Sequence, residues 1–397
     1  MLYRIIKERN LKKDFMIYLD AAASAGYKEV DDIVVSTISN AMKEYWLNPS
    51  SLYATKVKEE INECRANIAK FIGAKSNEIY FTSGSSESNN WAIRGWVDNI
   101  LMNSFQFIHI ITTPIEHKSI LEAVNNGALG ARIHYCDVNK LGLVDYKSLK
   151  CLLAEHEHEP VLVSIGMANN EIGTIQNVKE ISDLVHEYGG VLHIDATQCV
   201  GHIPIDVNEL GIDMLSASGH KISPVLKGIG FLYKKNCINI RPLIHGSQES
   251  GLRGGTENTF GIIGLSKAID CCDIGYEKIK NICNKRDYFV DLLISKFGCI
   301  LNGHCENRLP NNINVTFPQN ITGESLLYTL DLSDIKLSVG SACNSHDINP
   351  SHVLTEIGLD KDAVMKTVRF TLPDNITYRD IDFVVDEINK ALKIIEV

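Results

Sequence analysis

Residues Val191–Gln198 read VLHIDATQ, and residues Asp213–Pro224 read DMLSASGHKISP. Each starts as a short run of Val, Ile, Leu or Met and ends in small and polar residues, the pattern of a buried strand running into a loop. Asp195 and Gln198 stand at the end of the first run and Lys221 just past the end of the second. Loops at the carboxyl ends of parallel strands are where open α/β sheets build their sites. The 26 residues from Asp195 to Lys221 (221 minus 195) match one strand-helix-strand step, so an acid and a lysine face one ligand from neighbouring strands.

Outward from this pair the same rhythm continues. EIYFT (78–82), FIHIITT (107–113), ARIHYC (131–136), VLVSIGM (161–167) and GIGFLY (228–233) complete a set of seven apolar runs separated by helix-like segments. Such runs predict an α/β domain, a mostly parallel seven-stranded sheet with helices on both faces. Beyond Gly264 the pattern changes to long helices with strand-like pieces at NNINVTF (311–317), IKLSVG (335–340) and TVRFTL (367–372), a smaller α+β domain. We place the large domain at 27–262 and the small one at 1–26 plus 263–397, joined by a helix from Gly261 through Cys271. In the final helix Thr377 and Asp380 have capping-box spacing, and Ile381, Val384, Val385, Ile388 and Leu392 fall on one face.

A chain of 397 residues with 45% hydrophobic and 22% charged side chains has material for a large core. Its net charge of -10, with no block of Lys or Arg, argues against a nucleic-acid surface. The opening MLYRIIKERNLKKDFMIYLD has no uninterrupted apolar core, so neither a secretory signal nor a membrane anchor is expected, and the default location is cytoplasmic. The 11 cysteines form no CxxC pair, which removes zinc ribbons and dithiol redox sites from consideration and leaves most of them as reduced packing residues. Cys343 stands apart, in GSACNS (340–345), among small residues that favour display and loop motion over packing.

FTSGSSESNN (81–90) sits between a strand and a helix. Its small residues free backbone N–H groups to hold a phosphate at the helix N-terminus, with Ser85 and Ser86 adding hydroxyls, although an ordinary helix cap reads the same way. It contains neither GK[ST] nor GxGxxG. Phosphate cradle, acid and lysine together describe a site for pyridoxal 5'-phosphate: an amine for its aldehyde, a carboxylate for its ring nitrogen and a helix end for its phosphate. Burial in such a pocket, and a pyridinium beside it, would lower the lysine's pKa.

FTSGSSESNN, TPIEHKSI, MANNEIGTIQ, HIDATQ, SASGHKI, KGIGFLY, HGSQESGLRGGTEN, GSACNS and TVRFTL follow one another as in the cysteine desulfurases of the NifS/IscS type, class V enzymes of pyridoxal-phosphate fold type I. The resemblance spans about Tyr18 to the C-terminus. It implies that Lys221 carries the cofactor, Asp195 pairs with its ring nitrogen, His117 stacks on the ring, and Asn170 and Gln198 contact its phenolic oxygen. It also implies that Ser85, Ser86, Ser218 and His220 line the phosphate, that Thr256 reaches the phosphate of a second subunit in a homodimer, and that Arg369, with Asn170, binds the substrate carboxylate. Read singly, His117 fits a hydrogen-bonded core histidine, Asn170 a turn former, Thr256 a helix cap and Arg369 half of an internal salt bridge.

The activity so implied is conversion of L-cysteine to L-alanine, with the sulfur kept as a persulfide on Cys343. A mobile loop of the long type then delivers it to an acceptor protein for iron-sulfur cluster assembly or thiolation. Selenocysteine lyase is an enzymatic alternative, and a weakly active cofactor-bound structural or regulatory partner is one from another class. The chain departs from the family pattern at Ala21, at Ser24, Ala25 and Gly26, at Tyr53 and at Ser250, which bears on substrate choice and rate.

Overall fold

A computed structural model describes residues 16–26, 29–103, 107–339 and 350–395. Seven strands form the large sheet: β2 (Ile79–Thr82), β3 (Ile108–Thr112), β4 (Ala131–Tyr135), β5 (Val161–Gly166), β6 (Val191–Asp195), β7 (Met214–Ser218) and β8 (Gly230–Lys234). Their order is β2-β8-β7-β6-β5-β3-β4, parallel from β7 to β4, with β8 antiparallel to both β7 and β2.

Alternation along each strand covers both faces with apolar side chains. On one face Ile110, Leu162, Met214 and Leu232 pack with Trp91, Ile93 and Val97 of helix Ser85–Asn103. On the other, Ile111, Val163, Ile194, Leu215 and Phe231 pack with Ile181 and Val185 of helix Val178–Glu187 and with Ile262 and Leu265 of helix Thr259–Asp270. A sheet buried on both faces needs continuous apolar strands, as the sequence has.

One expected element is absent. Between β6 and β7 the described residues 196–213 run through turns with no helix. The step is still a parallel crossover, but Pro204 removes a backbone donor mid-segment, and Gly201 and Gly211 hold φ of 84° and 69°. The turns leave Asp195, at the end of β6, beside β7, and Lys221 follows in the short turn just past the end of β7.

A four-stranded sheet, β12 (Ser338–Val339), β13 (Thr367–Thr371), β10 (Asn312–Thr316) and β9 (Ile300–Leu301), has its own core, including Phe289, Val315, Phe370, Ile381 and Ile388. IKLSVG, expected as one strand, divides at Leu337. Ile335–Lys336 (β11) pairs with Ile17–Tyr18 (β1), and β12 pairs with β13. Ile335 and Leu337 stay in one core across the break, so alternation persists while the hydrogen-bond partner changes. The joining helix spans Thr259–Asp270, ending just before Cys271, and the last helix, Tyr378–Ile395, carries the expected reciprocal bonds between Thr377 and Asp380.

Candidate active site

A cavity of about 350 Å³ opens where β5 and β6 end and where the turns after β3 and β7 meet residues 22–23. Lys221, His220, Asp195, Gln198, His117, Asn170, Ser85, Ser86 and Arg369 all line it. The topology brings these positions to one sheet edge from segments spread over most of the chain.

Asp195 ends β6 and is buried, so its oxygens need fixed donors. Oδ1 accepts from the Thr197 backbone N–H at 3.0 Å and from the Thr197 hydroxyl, and Oδ2 accepts from Asn89 Nδ2 at 2.8 Å. Asn89 Nδ2 also donates to Ser119 Oγ at 2.9 Å. Ser119 Oγ lies 2.8 Å from His117 Nδ1, which accepts the Ser119 backbone N–H at 3.1 Å. That last bond occupies the Nδ1 lone pair and puts the proton of neutral His117 on Nε2. Burial lowers the His117 pKa, opposed by Asp195 and aided by Lys221.

Lys221 closes the short turn Gly219–Lys221 after β7, and its Nζ donates to the carbonyls of Ala22 at 2.5 Å and Ala23 at 2.8 Å. Its pKa is pushed down to about 8, by burial first and then by the Arg369 charge, with Asp20 and Asp195 opposing. Arg369, in the middle of β13, donates from Nη2 to Asp20 Oδ1 at 2.7 Å and from Nη1 to the Asn170 carbonyl at 3.1 Å, while Nε is buried without a hydrogen-bond partner among the described residues.

Ser85 and Ser86 open helix Ser85–Asn103, and Gly84 before them has φ 151°. A Cβ at Gly84 would stand 3.3 Å from Ser218 Oγ, so the turn and β7 approach closely there. Arg253 braces this turn with a forked pair to Glu87 at 2.8 and 3.1 Å, and Glu87 also accepts the Ser83 N–H at 2.7 Å.

Two predicted residues lie outside the cavity. Ser218 contacts it through His220, its Oγ lying 2.8 Å from His220 Nδ1. Burial first, and then Lys221 and Lys227, push the His220 pKa down to about 4. Thr256 lines a separate cavity of about 60 Å³ with Ser83 and Arg253. Cys343 and the whole GSACNS stretch lie outside the described residues.

The segment holding most departures packs over the lysine. Ala25 N–H donates to the His220 carbonyl at 2.9 Å, Gln198 Nε2 to Ala22 O at 3.1 Å, and the Tyr18 hydroxyl to the carbonyls of Asp20 and Ser24. Tyr53 is exposed, and Ser250 holds φ 58° away from the cavity. Sequence reading missed Asn89, Thr197, Ser119, Glu116 and Asp20. Glu116 lines the cavity as a buried side chain, accepting from Thr113 Oγ1 at 2.6 Å and from Gly166 N at 2.7 Å.

The model of the class-V aminotransferase family matches residues 17–384. The chain belongs to this family. The chain is 42% identical over 383 residues to a protein of Dictyoglomus turgidum named cysteine desulfurase IscS, covering 95% of this chain and 94% of that one. A Methanosarcina thermophila protein of the same name is 40% identical, with 95% and 92% covered. Among solved structures, a NifS-like protein superposes with TM-score 0.86 at 31% identity, over 96% of this chain and all of that one. SspA in complex with cysteine superposes with TM-score 0.77 at 33% identity, over 91% of this chain and 100% of that one. These neighbours share the mixed α/β architecture with its large central sheet, the fold type I arrangement. Among the described residues, no helix is long and apolar enough to cross a membrane.

Proposed function

We propose that this chain is a pyridoxal-phosphate-dependent cysteine desulfurase. The observation that carries the reading is a lysine amine and an arginine in one cavity with a carboxylate whose oxygens are fixed by three donors. Proteins named cysteine desulfurase align over nearly the whole chain, and a neighbour of the same fold is described with cysteine bound.

The residues fit the cofactor. Lys221 Nζ is buried enough to be a neutral amine at a modestly alkaline pH. The Asp195 carboxylate lines the cavity and would be the anionic partner of the ring nitrogen, and Gly84, Ser85 and Ser86 offer a helix N-terminus for a phosphate. Lys221 would hold the cofactor covalently and His117 would stack on its ring. Asn170 and Gln198 would contact its phenolic oxygen, and Ser218 and His220 would join the phosphate site, with Thr256 of the partner subunit completing it in a homodimer. When bound, pyridoxal phosphate supplies an electron sink for negative charge developing on the substrate carbon.

The chain's own groups do the rest. Arg369, with Asn170, binds the carboxylate of L-cysteine and orients its α-hydrogen toward Lys221, whose free Nζ takes that proton. The Cys343 thiolate attacks the substrate sulfur. The new S–S bond forms as the C–S bond breaks, its electron pair stays with the carbon, and protonation there gives L-alanine. Cys343 keeps the sulfur as a persulfide for a cytoplasmic acceptor protein in iron-sulfur cluster assembly or thiolation. The large unit, 27–262, would hold the cofactor, and 1–26 with 263–397 would carry the cysteine loop.

Purified protein given L-cysteine and dithiothreitol should release equal alanine and sulfide, and Cys343→Ser should abolish turnover while keeping bound cofactor. No alanine from the wild type would overturn the assignment. A strong preference for L-selenocysteine would reassign the enzyme as a lyase of that substrate.

A further inference from the structure

Three histidines meet away from the cavity. His109 is at the amino end of β3, the end opposite the turn that carries His117. His134 is on β4, the edge strand, and His156 follows helix Tyr146–Glu155 in the approach to β5. His109 Nδ1 lies 2.9 Å from His134 Nε2, and the His156 ring stacks on that of His109 with centroids 3.7 Å apart. One ring nitrogen from each residue falls within 4.8 Å of the others. Glu159 Oε2 reaches the same group, 2.9 Å from His109 Nε2 and 3.3 Å from His156 Nδ1.

Packing alone accounts poorly for this cluster. Buried histidines placed for structure use their ring nitrogens in hydrogen bonds, yet His156 Nε2 is buried without a hydrogen-bond partner among the described residues, and the Glu159 oxygen 2.9 Å from His109 Nε2 is not aligned for a hydrogen bond. An aliphatic core would fill the space without that desolvation cost. Three imidazoles with a carboxylate beside them are the donor set of a divalent transition metal of the zinc type. Tetrahedral coordination at about 2.0–2.1 Å sets ligand nitrogens roughly 3.4 Å apart, and the His109 and His156 rings must turn out of their stack to aim both lone pairs at one ion. Glu155 and Glu159 supply negative charge, and Arg132, the nearby cation on β4, has its guanidinium 3.9 Å from the Phe107 ring centroid.

We infer that His109, His134 and His156, with Glu159 as fourth ligand or orienting carboxylate, form a zinc-type metal site that ties the edge strand to β3 and to the turn before β5. The site is separate from the cofactor cavity, so its presence does not depend on the reading of that cavity.

The full cofactor-loaded protein, stripped with a chelator, is titrated with Zn²⁺ against a chromogenic competitor and with Co²⁺ by absorbance. One ion per chain is expected, with a Co²⁺ spectrum free of thiolate charge transfer and a melting temperature raised by Zn²⁺. His134→Asn and His156→Asn should each weaken binding more than tenfold and erase the Zn²⁺-dependent melting shift. Glu159→Gln, at a partly exposed position, should weaken it about tenfold and serves if a histidine variant fails to fold. Absence of a stoichiometric ion in the wild type, unchanged affinity in all the variants, or a thiolate-type Co²⁺ spectrum would overturn the site.

Discussion

Arg369, which lines the cavity, donates from Nη2 to Asp20 Oδ1 at 2.7 Å, across 349 residues of sequence. The guanidinium assigned to a substrate carboxylate therefore already faces one. A carboxylate substrate must share or displace Asp20, and charge-assisted bonds of this kind contribute about 1.5–3 kcal/mol each. Asp20→Asn should lower KM for L-cysteine several-fold, and Arg369→Lys, which loses the planar fork, should raise it about tenfold with a smaller change in kcat. Steady-state alanine formation measures both, and a higher KM in Asp20→Asn would show that Asp20 orients Arg369 rather than competing for it.

The position of Lys221 beside Arg369 sets a second expectation. Burial and the Arg369 charge hold its pKa at about 8, below the ordinary lysine value near 10.4, and only the neutral amine attacks an aldehyde. Cofactor-free protein should take up pyridoxal phosphate at a rate that rises with pH and levels off above about 8. In Arg369→Gln the midpoint should move upward, because a cation that disfavours the ammonium is gone. Absorbance of the bound cofactor across pH 6–10 reads both, and a wild-type midpoint near 10 would contradict the burial argument.

Asn89 bridges Asp195 and Ser119, and its side chain is fully buried. Removing a buried donor leaves its acceptors short by about 1–3 kcal/mol. Asn89→Ala should therefore weaken cofactor affinity roughly tenfold or more, seen as a higher dissociation constant by fluorescence titration, with Asn89→Asp failing to rescue because it supplies an acceptor where a donor is needed. Equal affinity in Asn89→Ala would mean that Thr197 alone fixes Asp195.

The strands were legible because each is a local run of apolar residues, and Lys221, Asp195 and the Ser85–Ser86 turn were legible because they sit at the ends of such runs. The Thr377–Asp380 cap was legible for the same reason, three residues being enough to see it. What sequence left hidden depends on distance along the chain. Asn89 to Asp195 spans 106 residues and Asp20 to Arg369 spans 349, and no spacing rule joins them. Thr197 had a local signal, a hydroxyl two residues after a strand-ending acid, which reads as a turn until the carboxylate is known to be buried. The missing helix between β6 and β7 was a counting inference, and Pro204 within it was the contrary sign.

Glu116 gives the sharpest dependence of stability on pH. Burial raises its pKa to about 7 despite the bonds from Thr113 and Gly166. The folded state thus binds this proton more tightly than the unfolded chain, whose value is near 4.5. The stabilisation from protonated Glu116 is full below about pH 4.5 and is lost as pH rises through about 7. Integrated over that window it amounts to something on the order of 3 kcal/mol. Gln keeps the shape, leaves one oxygen for the Gly166 N–H and never ionises. Glu116→Gln should accordingly melt close to the wild type at pH 5 and several degrees above it at pH 8, with the difference opening between pH 5 and 8. Thermal denaturation at fixed ionic strength tests this: a constant offset at all pH values would locate the effect in packing, and a wild type favoured at high pH would mean that ionised Glu116 is paired in the fold.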